Sequence, residues 1–210
     1  MDNFRTDQEN FWAGSFGGDY VERNQDPTMV RANEVFFERI LAATTGVSSV
    51  VELGCNIGLN LIALQHIRPE LSLRGYEINA EAAEKARATG IPEIVNQSVT
   101  EPIVADRMFD LAFTKGVLIH INPDALDQVY ANLAVLSTRY VLVCEYYNPT
   151  PVTISYRGHE NRLFKRDFAG ELLDRHNVQL IDYGFVYRRD PTAPQDDITW
   201  FLMEKNDQQG

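Results

Sequence analysis

The chain has 210 residues, a length that suits a single domain better than two. Hydrophobic residues make up 44% of it and charged residues 23%, with nine tyrosines and eleven phenylalanines, which is enough to build a sizeable buried core. The net charge of −11 argues against binding of a nucleic-acid backbone or an anionic membrane, because both carry negative charge.

The start of the chain and the cysteine usage predict a cytoplasmic protein. The first residues, MDNFRTDQEN, are polar and acidic, whereas a secretory signal needs a basic start and an apolar run. No apolar stretch has the length that a membrane-spanning helix requires. Cys55 and Cys144 fall in predicted strands two places apart in the sheet, too far for a disulfide. Neither has His or Cys at metal-ligand spacing, and we predict no metal site.

Strands and helices alternate along most of the chain. After an aromatic, glycine-rich opening, a helix is predicted at about residues 31–43. The predicted strands that follow are VSSVVEL, LSLRGYEI, EIVNQSV, FDLAFTKGVLI and YVLVCEYY, and the predicted helices are GLNLIALQHI, NAEAAEKARA and residues 124–136. Near-continuous apolar strands alternating with helices indicate a parallel sheet covered on both faces.

The C-terminal part departs from this alternation. A helix predicted at about residues 165–176 is followed by VQLIDYGFVYRRD and DITWFLMEK, with the turn sequence PTAPQDD between them. Two strands joined without a helix form an antiparallel hairpin. The predicted architecture is therefore a Rossmann-like, doubly wound α/β fold with a mostly parallel seven-stranded sheet and a C-terminal antiparallel hairpin.

The loop VVELGCNIGLN follows the first strand, where open α/β sheets bind their ligands. It has neither the G-x-G-x-x-G spacing of dinucleotide-binding loops nor the Gly-Lys-Ser/Thr of a P-loop. Glu52 precedes the first glycine and would repel a pyrophosphate. Gly54 and Gly58 allow a tight turn, and Asn56 tolerates a positive φ. The loop therefore favours a cationic or neutral ligand.

Two further positions extend this site toward a nucleoside. Glu77, at the end of the second strand, can accept hydrogen bonds from both hydroxyls of a ribose. Gln97 or Ser98, after the third strand, can meet an adenine edge, and Asn79 is expected to be a helix N-cap. An acidic loop, a ribose-binding carboxylate and polar groups for adenine together describe a positively charged nucleoside such as S-adenosylmethionine.

These motifs resemble those of class I S-adenosylmethionine-dependent methyltransferases: E-x-G-x-N-x-G, then Glu77, then FDLAFTKGVLIHI. That family usually has glycine where Asn56 stands and an acid where Ser98 stands. Over nearly the full chain, FWAGSFGGDYVERN, GVLIHINPDAL, CEYYNPTPVTISYRG, RLFKRDFAGELLD, DYGFVYRRD and DDITWFLMEK are similar to the methyltransferase family associated with pseudaminic acid biosynthesis. The resemblance implies S-adenosylmethionine as cofactor, S-adenosylhomocysteine as product and a surface-glycan pathway.

We expect residues 1–30 to form an N-terminal lid or arm and residues 31–210 the methyltransferase domain. Aromatic faces attract a sulfonium, and a cation in the arm can pair with the cofactor's carboxylate. Ordinary packing is favoured for any single arm residue, and cofactor binding is favoured for the set. The resemblance places Lys115 and Gly116 against the cofactor. The predicted cofactor-binding residues are Trp12, Tyr20, Arg23, Glu52, Gly54, Asn56, Gly58, Glu77, Gln97, Ser98, Lys115 and Gly116.

Residues 146–164 are predicted to be a substrate-side insertion, since this connection is too long for a simple loop. Basic residues concentrated here in an acidic protein favour a small anionic acceptor, such as a sugar or nucleotide sugar. The alternative is that these cations pair with acids of the same region, Glu160, Asp167 and Glu171. The predicted substrate-binding residues are Tyr147, Tyr156, Arg157, Lys165 and Arg166.

The candidate catalytic residues are His120, Glu145 and Tyr146, in that order. A base is required only if the attacking atom must lose a proton, so the sequence leaves O- and N-methylation open. A methyltransferase for proteins or other carboxylate-bearing metabolites and a non-catalytic module that keeps the fold are the alternative functions. The oligomeric state is left open.

Overall fold

The computed structural model describes residues 4–18 and 27–206. The strands are β1 Ser49–Leu53, β2 Ser72–Glu77, β3 Glu93–Asn96, β4 Phe109–Lys115, β5 Ser137–Glu145, β6 Val152–Tyr156, β7 His159–Lys165, β8 Val178–Val186 and β9 Ile198–Lys205. The helices are α1 Asp7–Ala13, α2 Pro27–Ala42, α3 Leu59–Ile67, α4 Ala80–Ala88, α5 Leu126–Leu136 and α6 Phe168–Arg175. Two short 3₁₀ turns, Leu118–His120 and Pro123–Ala125, lie between β4 and α5.

The main sheet has seven strands in the order β3-β2-β1-β4-β5-β9-β8. The first five strands of this order run parallel, and β9 pairs antiparallel with both β5 and β8. Chain order reverses between β1 and β4, because β2 and β3 lie on one side of β1 and the later strands lie on the other. The predicted Rossmann-like fold and its C-terminal antiparallel hairpin are confirmed.

Two apolar cores cover the two faces of the sheet. The first joins α2, α3 and α4 to strand residues such as Val50 and Leu111. The second joins α5 and α6 to the neighbouring residues Val51 and Ala112. Consecutive strand residues point to opposite faces, so a strand buried on both faces must be apolar throughout. This requirement explains why the parallel strands have nearly continuous apolar sequences.

The structure refines two boundaries in the region after β5. Residues 152–165 form a separate two-stranded hairpin, β6–β7, closed by a turn at Arg157 and Gly158 with φ of +50° and +84°. Two positive φ values in a two-residue loop are what hairpin twist requires. The helix predicted from about residue 165 begins at Phe168, because Lys165 ends β7 and Asp167 is the N-cap, accepting from Gly170 N–H at 2.8 Å.

Helix α1 lies across the carboxyl edge of the sheet, held by polar contacts. Gln8 donates to the carbonyl of Asn161 in β7 at 3.0 Å and accepts from Asn122 at 3.2 Å. The amide of Asn79 donates to the Trp12 carbonyl at 3.1 Å. None of the helices in the described ranges is both long and apolar enough to span a bilayer.

Candidate functional site

A cavity of about 230 Å³ lies at the carboxyl edge of the parallel strands, at the point where strand order reverses. The loop after β1, the end of β2, the segment after β3 and the end of β4 form its floor and sides, and α1 covers part of it. Residues that line it include Glu9, Trp12, Asn33, Gly54, Asn56, Asn60, Glu77, Ile78, Asn79, Ala82, Ser98, Val99, Thr100, Lys115, Gly116, His120 and Asp196.

The first loop has the conformation that its sequence predicts. Gly54, Asn56 and Gly58 all have positive φ, at +81°, +49° and +83°. The N–H groups of Gly54 and Cys55 both donate to the carbonyl of Tyr76 in β2, at 2.8 and 2.9 Å. The argument that asparagine can stand in this loop, because it tolerates a positive φ, is confirmed at Asn56.

Glu77 ties this loop to the start of α4. One oxygen of its carboxylate accepts from Asn56 N–H at 2.8 Å, and the other accepts from Asn79 N–H at 2.7 Å. The side chain lines the cavity and is 8% exposed. Burial raises the pKa of Glu77, and the backbone hydrogen bonds oppose that rise. Each carboxylate oxygen has a second lone pair, so Glu77 can still accept from a ligand.

Hydrogen-bond acceptors without donors cluster at the same loop. Glu52 is 1% exposed, and one of its oxygens accepts from the Asn60 amide at 2.6 Å. Among the described residues, no donor reaches the other oxygen of Glu52, nor the side-chain carbonyls of Asn56 and Asn60. Burial raises the pKa of Glu52 to about 8. Glu52 lies behind the cavity wall and acts on it through Asn60. Such a group of acceptors suits a ligand that brings several N–H donors.

Lys115 brings a cation to the same end of the cavity. Its ammonium donates to the Asn33 side chain of α2 at 3.1 Å and lies 5.9 Å from the centre of the Phe36 ring. Burial lowers the pKa of Lys115, and the nearby Glu52 and Asp196 carboxylates oppose that shift. Gly116 follows with a φ of +69° and lines the cavity. The cavity thus combines a cation with acceptor oxygens at one end.

Only one of the two residues predicted to contact adenine lines the cavity. Ser98 is buried and lines the cavity, whereas Gln97 turns to the carbonyl of Pro102 at 3.4 Å and takes no part in the wall. Ser98 and Thr100 both donate to the carboxylate of Glu9 in α1, each at 2.5 Å. Asn79 is the N-cap of α4, as expected, accepting from Ala82 N–H at 3.0 Å.

The arm reaches the cavity through aromatic contacts. The Trp12 ring lines the cavity, with its centre 4.5 Å from that of His120. Phe11 and Phe16 stack at 4.0 Å and both meet His159 of the β6–β7 hairpin. The arm residues Tyr20 and Arg23, also predicted to bind the cofactor, lie outside the described residues.

Of the three candidate catalytic residues, His120 alone lines the cavity. Its Nδ1 lies 2.7 Å from the Arg162 carbonyl oxygen. A carbonyl can only accept, so Nδ1 carries the proton and Nε2 is the unprotonated nitrogen with a lone pair. Burial lowers the pKa of His120 to about 4. The imidazole is therefore neutral near pH 7 and can accept a hydrogen bond at Nε2.

Glu145 and Tyr146 have other partners. The Glu145 carboxylate is 2% exposed and accepts the N–H groups of Val117, Leu118 and Ile119 at 3.0 to 3.3 Å. It anchors the turn that carries His120 and forms no part of the cavity wall. Burial raises the pKa of Glu145 to about 7. Tyr146 donates to Asp196 at 3.0 Å, on the rim of the cavity.

None of the predicted substrate residues lines the cavity. Tyr147 is exposed and packs 5.9 Å from Phe201, and Tyr156 lies 5.0 Å from His120, measured between ring centres. Arg157 is exposed at the tip of the hairpin. Lys165 lies over the Tyr146 ring at 5.0 Å.

Arg166 has the structural partner that the alternative interpretation named. It forms an ion pair with Glu171 at 2.9 Å, with both side chains largely buried. This pair fixes the start of α6. Arg166 therefore already has an acidic partner in the fold.

The sequence analysis missed Glu9, Asn33, Asn60, Thr100 and Asp196. A local signal existed for Glu9, since Thr6-x-x-Glu9 matches a capping box, and that box is present at the start of α1. Its contact with Ser98 spans 89 residues and has no local signal. Within residues 4–18 and 27–206, no three His, Cys, Asp or Glu side chains converge to hold a metal ion.

No protein-family model matches this sequence, and no curated protein matches it. Solved structures are similar over most of the chain. One is magnesium protoporphyrin IX methyltransferase from Synechocystis with bound S-adenosylhomocysteine, at 14% identity and a TM-score of 0.69, covering 95% of this chain and 100% of that one.

Two further structures show the same likeness. The 1,6-didemethyltoxoflavin-N1-methyltransferase of Burkholderia thailandensis has 18% identity and a TM-score of 0.67, covering 95% of this chain and 87% of that one. An S-adenosylmethionine-dependent methyltransferase of Clostridium acetobutylicum has 12% identity and a TM-score of 0.64, covering 91% and 98%. At these identities the likeness establishes the fold alone: the chain has the α/β fold of S-adenosylmethionine-dependent methyltransferases.

Proposed function

We propose that the protein is an S-adenosylmethionine-dependent methyltransferase that acts on a small anionic acceptor in the cytoplasm. The observation that carries this proposal is the set of acceptors at the first loop: Asn56 and Asn60 carbonyls and a buried Glu52 oxygen that no described donor reaches, beside the Glu77 carboxylate. A phosphate would need donors at this position. A ligand with an ammonium group and ribose hydroxyls supplies the missing donors.

The residues of the cavity fit each part of this cofactor. Glu77 suits the two ribose hydroxyls, because both of its oxygens keep a lone pair after binding the backbone N–H groups. Asn56 and Asn60 suit the ammonium group, with Glu52 behind them. Lys115 suits the carboxylate of the amino-acid part. Six of the similar solved structures carry S-adenosylmethionine or S-adenosylhomocysteine, which supports the same assignment.

The cofactor supplies a methyl group activated by a sulfonium leaving group. The residues of this chain must then align the acceptor and exclude water, and orientation alone can contribute roughly 7–11 kcal/mol to lowering the barrier. Trp12 and Tyr156 enclose His120, at 4.5 and 5.0 Å between ring centres. His120 would accept a hydrogen bond from the acceptor molecule at Nε2 and so would orient the attacking atom of that molecule.

A pKa near 4 makes His120 a weak base. It is better suited to orienting a nucleophile than to removing a proton from an unactivated hydroxyl. This property favours an acceptor whose attacking atom is already neutral and nucleophilic, such as an amine, or a hydroxyl whose proton leaves late in the reaction.

We propose a sugar or nucleotide sugar of a surface-glycan pathway of the pseudaminic acid type as the acceptor. The support is the resemblance of nearly the full chain to that methyltransferase family, together with the basic residues of the β6–β7 hairpin, with Arg157 at its tip. The similar solved structures include methyltransferases named for a porphyrin, for mitomycin and for a toxoflavin, so their fold accommodates diverse small molecules.

The test has two stages. Calorimetry with S-adenosylhomocysteine measures cofactor binding, and no affinity would refute the methyltransferase in favour of a non-catalytic module. Mass spectrometry of sugar-nucleotide and nonulosonate metabolites, incubated with protein and methyl-labelled cofactor, then measures the reaction. A gain of one labelled methyl on a sugar supports the proposed acceptor. Label found only in a protein fraction or in other carboxylate metabolites would refute it.

A further inference from the structure

Helix α1 places a buried carboxylate at the end of the cavity that lies beside β3. Glu9 is 4% exposed and lines the cavity together with Ser98 and Thr100. Burial raises the pKa of Glu9, but hydrogen bonds from Ser98, Thr100 and Thr6 outweigh that effect and hold the pKa below its usual value. Glu9 is therefore an ionised carboxylate at neutral pH, and it faces the cavity while it also closes the capping box of α1.

The position of Glu9 relative to Glu77 defines what part of a ligand it meets. Strand β3 pairs with β2 on the side away from β1. If Glu77 binds the ribose and the first loop binds the amino-acid part, then the base lies on the remaining side, toward β3. Ile78, Ala82 and Val99 offer apolar surface there for a flat ring. Glu9 is the acid at the edge of that space.

The Glu9 carboxylate can make one of its lone pairs available to accept a hydrogen bond from a ligand. The hydroxyls of Ser98 and Thr100 both donate to the same oxygen of Glu9, and they lie 3.0 Å from each other. Either hydroxyl can therefore turn its proton toward the other. That rotation frees one lone pair on the Glu9 oxygen while the buried hydroxyls stay paired.

We propose that Glu9 selects the base of the cofactor by accepting a hydrogen bond from the exocyclic amine of adenine. This inference rests on the proposed function. A carboxylate attracts the amine and repels a carbonyl at the same ring position, so it discriminates between two purines of equal shape. The arm is then part of the cofactor site as well as its cover.

The experiment compares two ligands that differ at this ring position. S-adenosylhomocysteine carries the amine, and S-inosylhomocysteine carries a carbonyl there. Calorimetry on the full chain should show that the wild type binds the inosyl compound about tenfold or more weakly, as expected for a lost hydrogen bond to a charged group. In Glu9→Gln the two affinities should converge, because an amide can donate to the carbonyl.

Control variants separate selection of the base by Glu9 from a role of Glu9 in folding. Asp7→Asn removes the same charge from an exposed position of α1 and should keep the wild-type discrimination. Thr100→Ala removes one hydroxyl that competes with the ligand for the Glu9 carboxylate, so this variant should keep or increase the discrimination between the two ligands. If Glu9→Gln does not fold, Glu9→Asp tests the same point, because the shorter side chain withdraws the carboxylate and should reduce the discrimination.

The outcomes distinguish this inference from the proposed function. If wild type binds neither ligand, the proposed function itself fails. If wild type binds S-adenosylhomocysteine and Glu9→Gln retains the full preference over the inosyl compound, Glu9 serves only to hold the arm and the inference is overturned. Convergence in Glu9→Gln with retention in Asp7→Asn supports it.

Discussion

The backbone N–H of Asn56 donates to the Glu77 carboxylate at 2.8 Å, linking the loop after β1 to the end of β2. One side chain therefore shapes the first loop and faces the cavity. Its other oxygen accepts from Asn79 N–H, which joins the start of α4 to the same point. If Glu77 binds a ligand as proposed, the loop conformation and ligand binding would be coupled there, because they would use different lone pairs of one carboxylate.

We expect Glu77→Gln to weaken S-adenosylhomocysteine binding about 10- to 100-fold, since hydrogen bonds to a charged acceptor contribute about 1.5–3 kcal/mol. The amide also points a donor at one of the two backbone N–H groups, so the free energy of unfolding should fall. Calorimetry and urea unfolding measure the two effects. Glu70→Gln, at an exposed position, is the matched control. If the affinity of Glu77→Gln for S-adenosylhomocysteine stays within twofold of wild type, the assignment of Glu77 to the cofactor site is wrong.

Because Glu52 is buried, we expect proton release when S-adenosylhomocysteine binds. Burial raises the pKa of Glu52 to about 8, so in the free protein its carboxyl is largely protonated at pH 7, and the oxygen that no described donor reaches becomes an acceptor when the group ionises. An ammonium group placed at Asn56 and Asn60 favours the ionised form and lowers that pKa. Binding of S-adenosylhomocysteine at pH 7 should release up to about one proton.

This release is measured by calorimetry in buffers of different ionisation enthalpy. Wild type should show a heat of binding that depends on the buffer, and Glu52→Gln should show a smaller dependence or none. Equal buffer dependence in both proteins would assign the proton to another group and leave Glu52 without a role in the charge balance of the site.

His120 makes stability depend on acid pH. Its pKa is about 4 in the folded protein and about 6.5 when unfolded, so the unfolded chain binds more protons between these values. Stability therefore falls as pH drops from about 6.5 to 4. His120→Asn should lose less stability than wild type over this window, measured by urea unfolding at several pH values. Parallel curves for the two proteins would show that His120 is not held neutral by burial.

Gly54 is required for two separable reasons. A Cβ at this position would lie 2.6 Å from the Val117 side chain, and its φ is +81°. We expect Gly54→Ala to cost about 1–2 kcal/mol for the backbone conformation and about 1–3 kcal/mol more for the clash. Gly90→Ala is the control, since its φ is +90° and nothing lies within 4 Å.

A double-mutant cycle tests the contact directly. Val117→Ala in the Gly54→Ala background should restore part of the stability, because it removes the atoms that the new methyl group meets. Urea unfolding measures all four proteins. Strict additivity of the two changes would show that the cost of Gly54→Ala comes from the backbone alone.

Much of the fold follows from local sequence pattern. The apolar segments around Val50 and Leu111 predict strands buried on both faces, and the segments after residue 178 predict the antiparallel hairpin; both are confirmed. The glycines and Asn56 of the first loop predict positive φ, which the backbone has. These features depend on residues close together in the chain, so their physical causes are visible in the sequence.

The site was less visible, because its members come together only in the fold. The sequence offers Glu145 as a candidate base, but three backbone N–H groups 26 to 28 residues away occupy it. The sequence offers both Gln97 and Ser98 as contacts for adenine. The path of the chain after β3 determines that Ser98, and not Gln97, lines the cavity. It gives no signal that α1 brings Glu9 to the same place.

The sequence alone determined the alternation of elements, the polarity of the first loop and the carboxylate at the end of β2, because periodicity and backbone preference act over a few residues. Tertiary structure alone decided which polar groups have partners. Four glutamates are the same residue type in the sequence but have different surroundings in the fold. Glu9 accepts from hydroxyls, and Glu52 keeps an oxygen without a described donor. Glu77 holds the first loop, and Glu145 anchors the turn after β4. Burial and hydrogen-bond partners set the charge of each carboxylate, and both depend on contacts between distant parts of the chain.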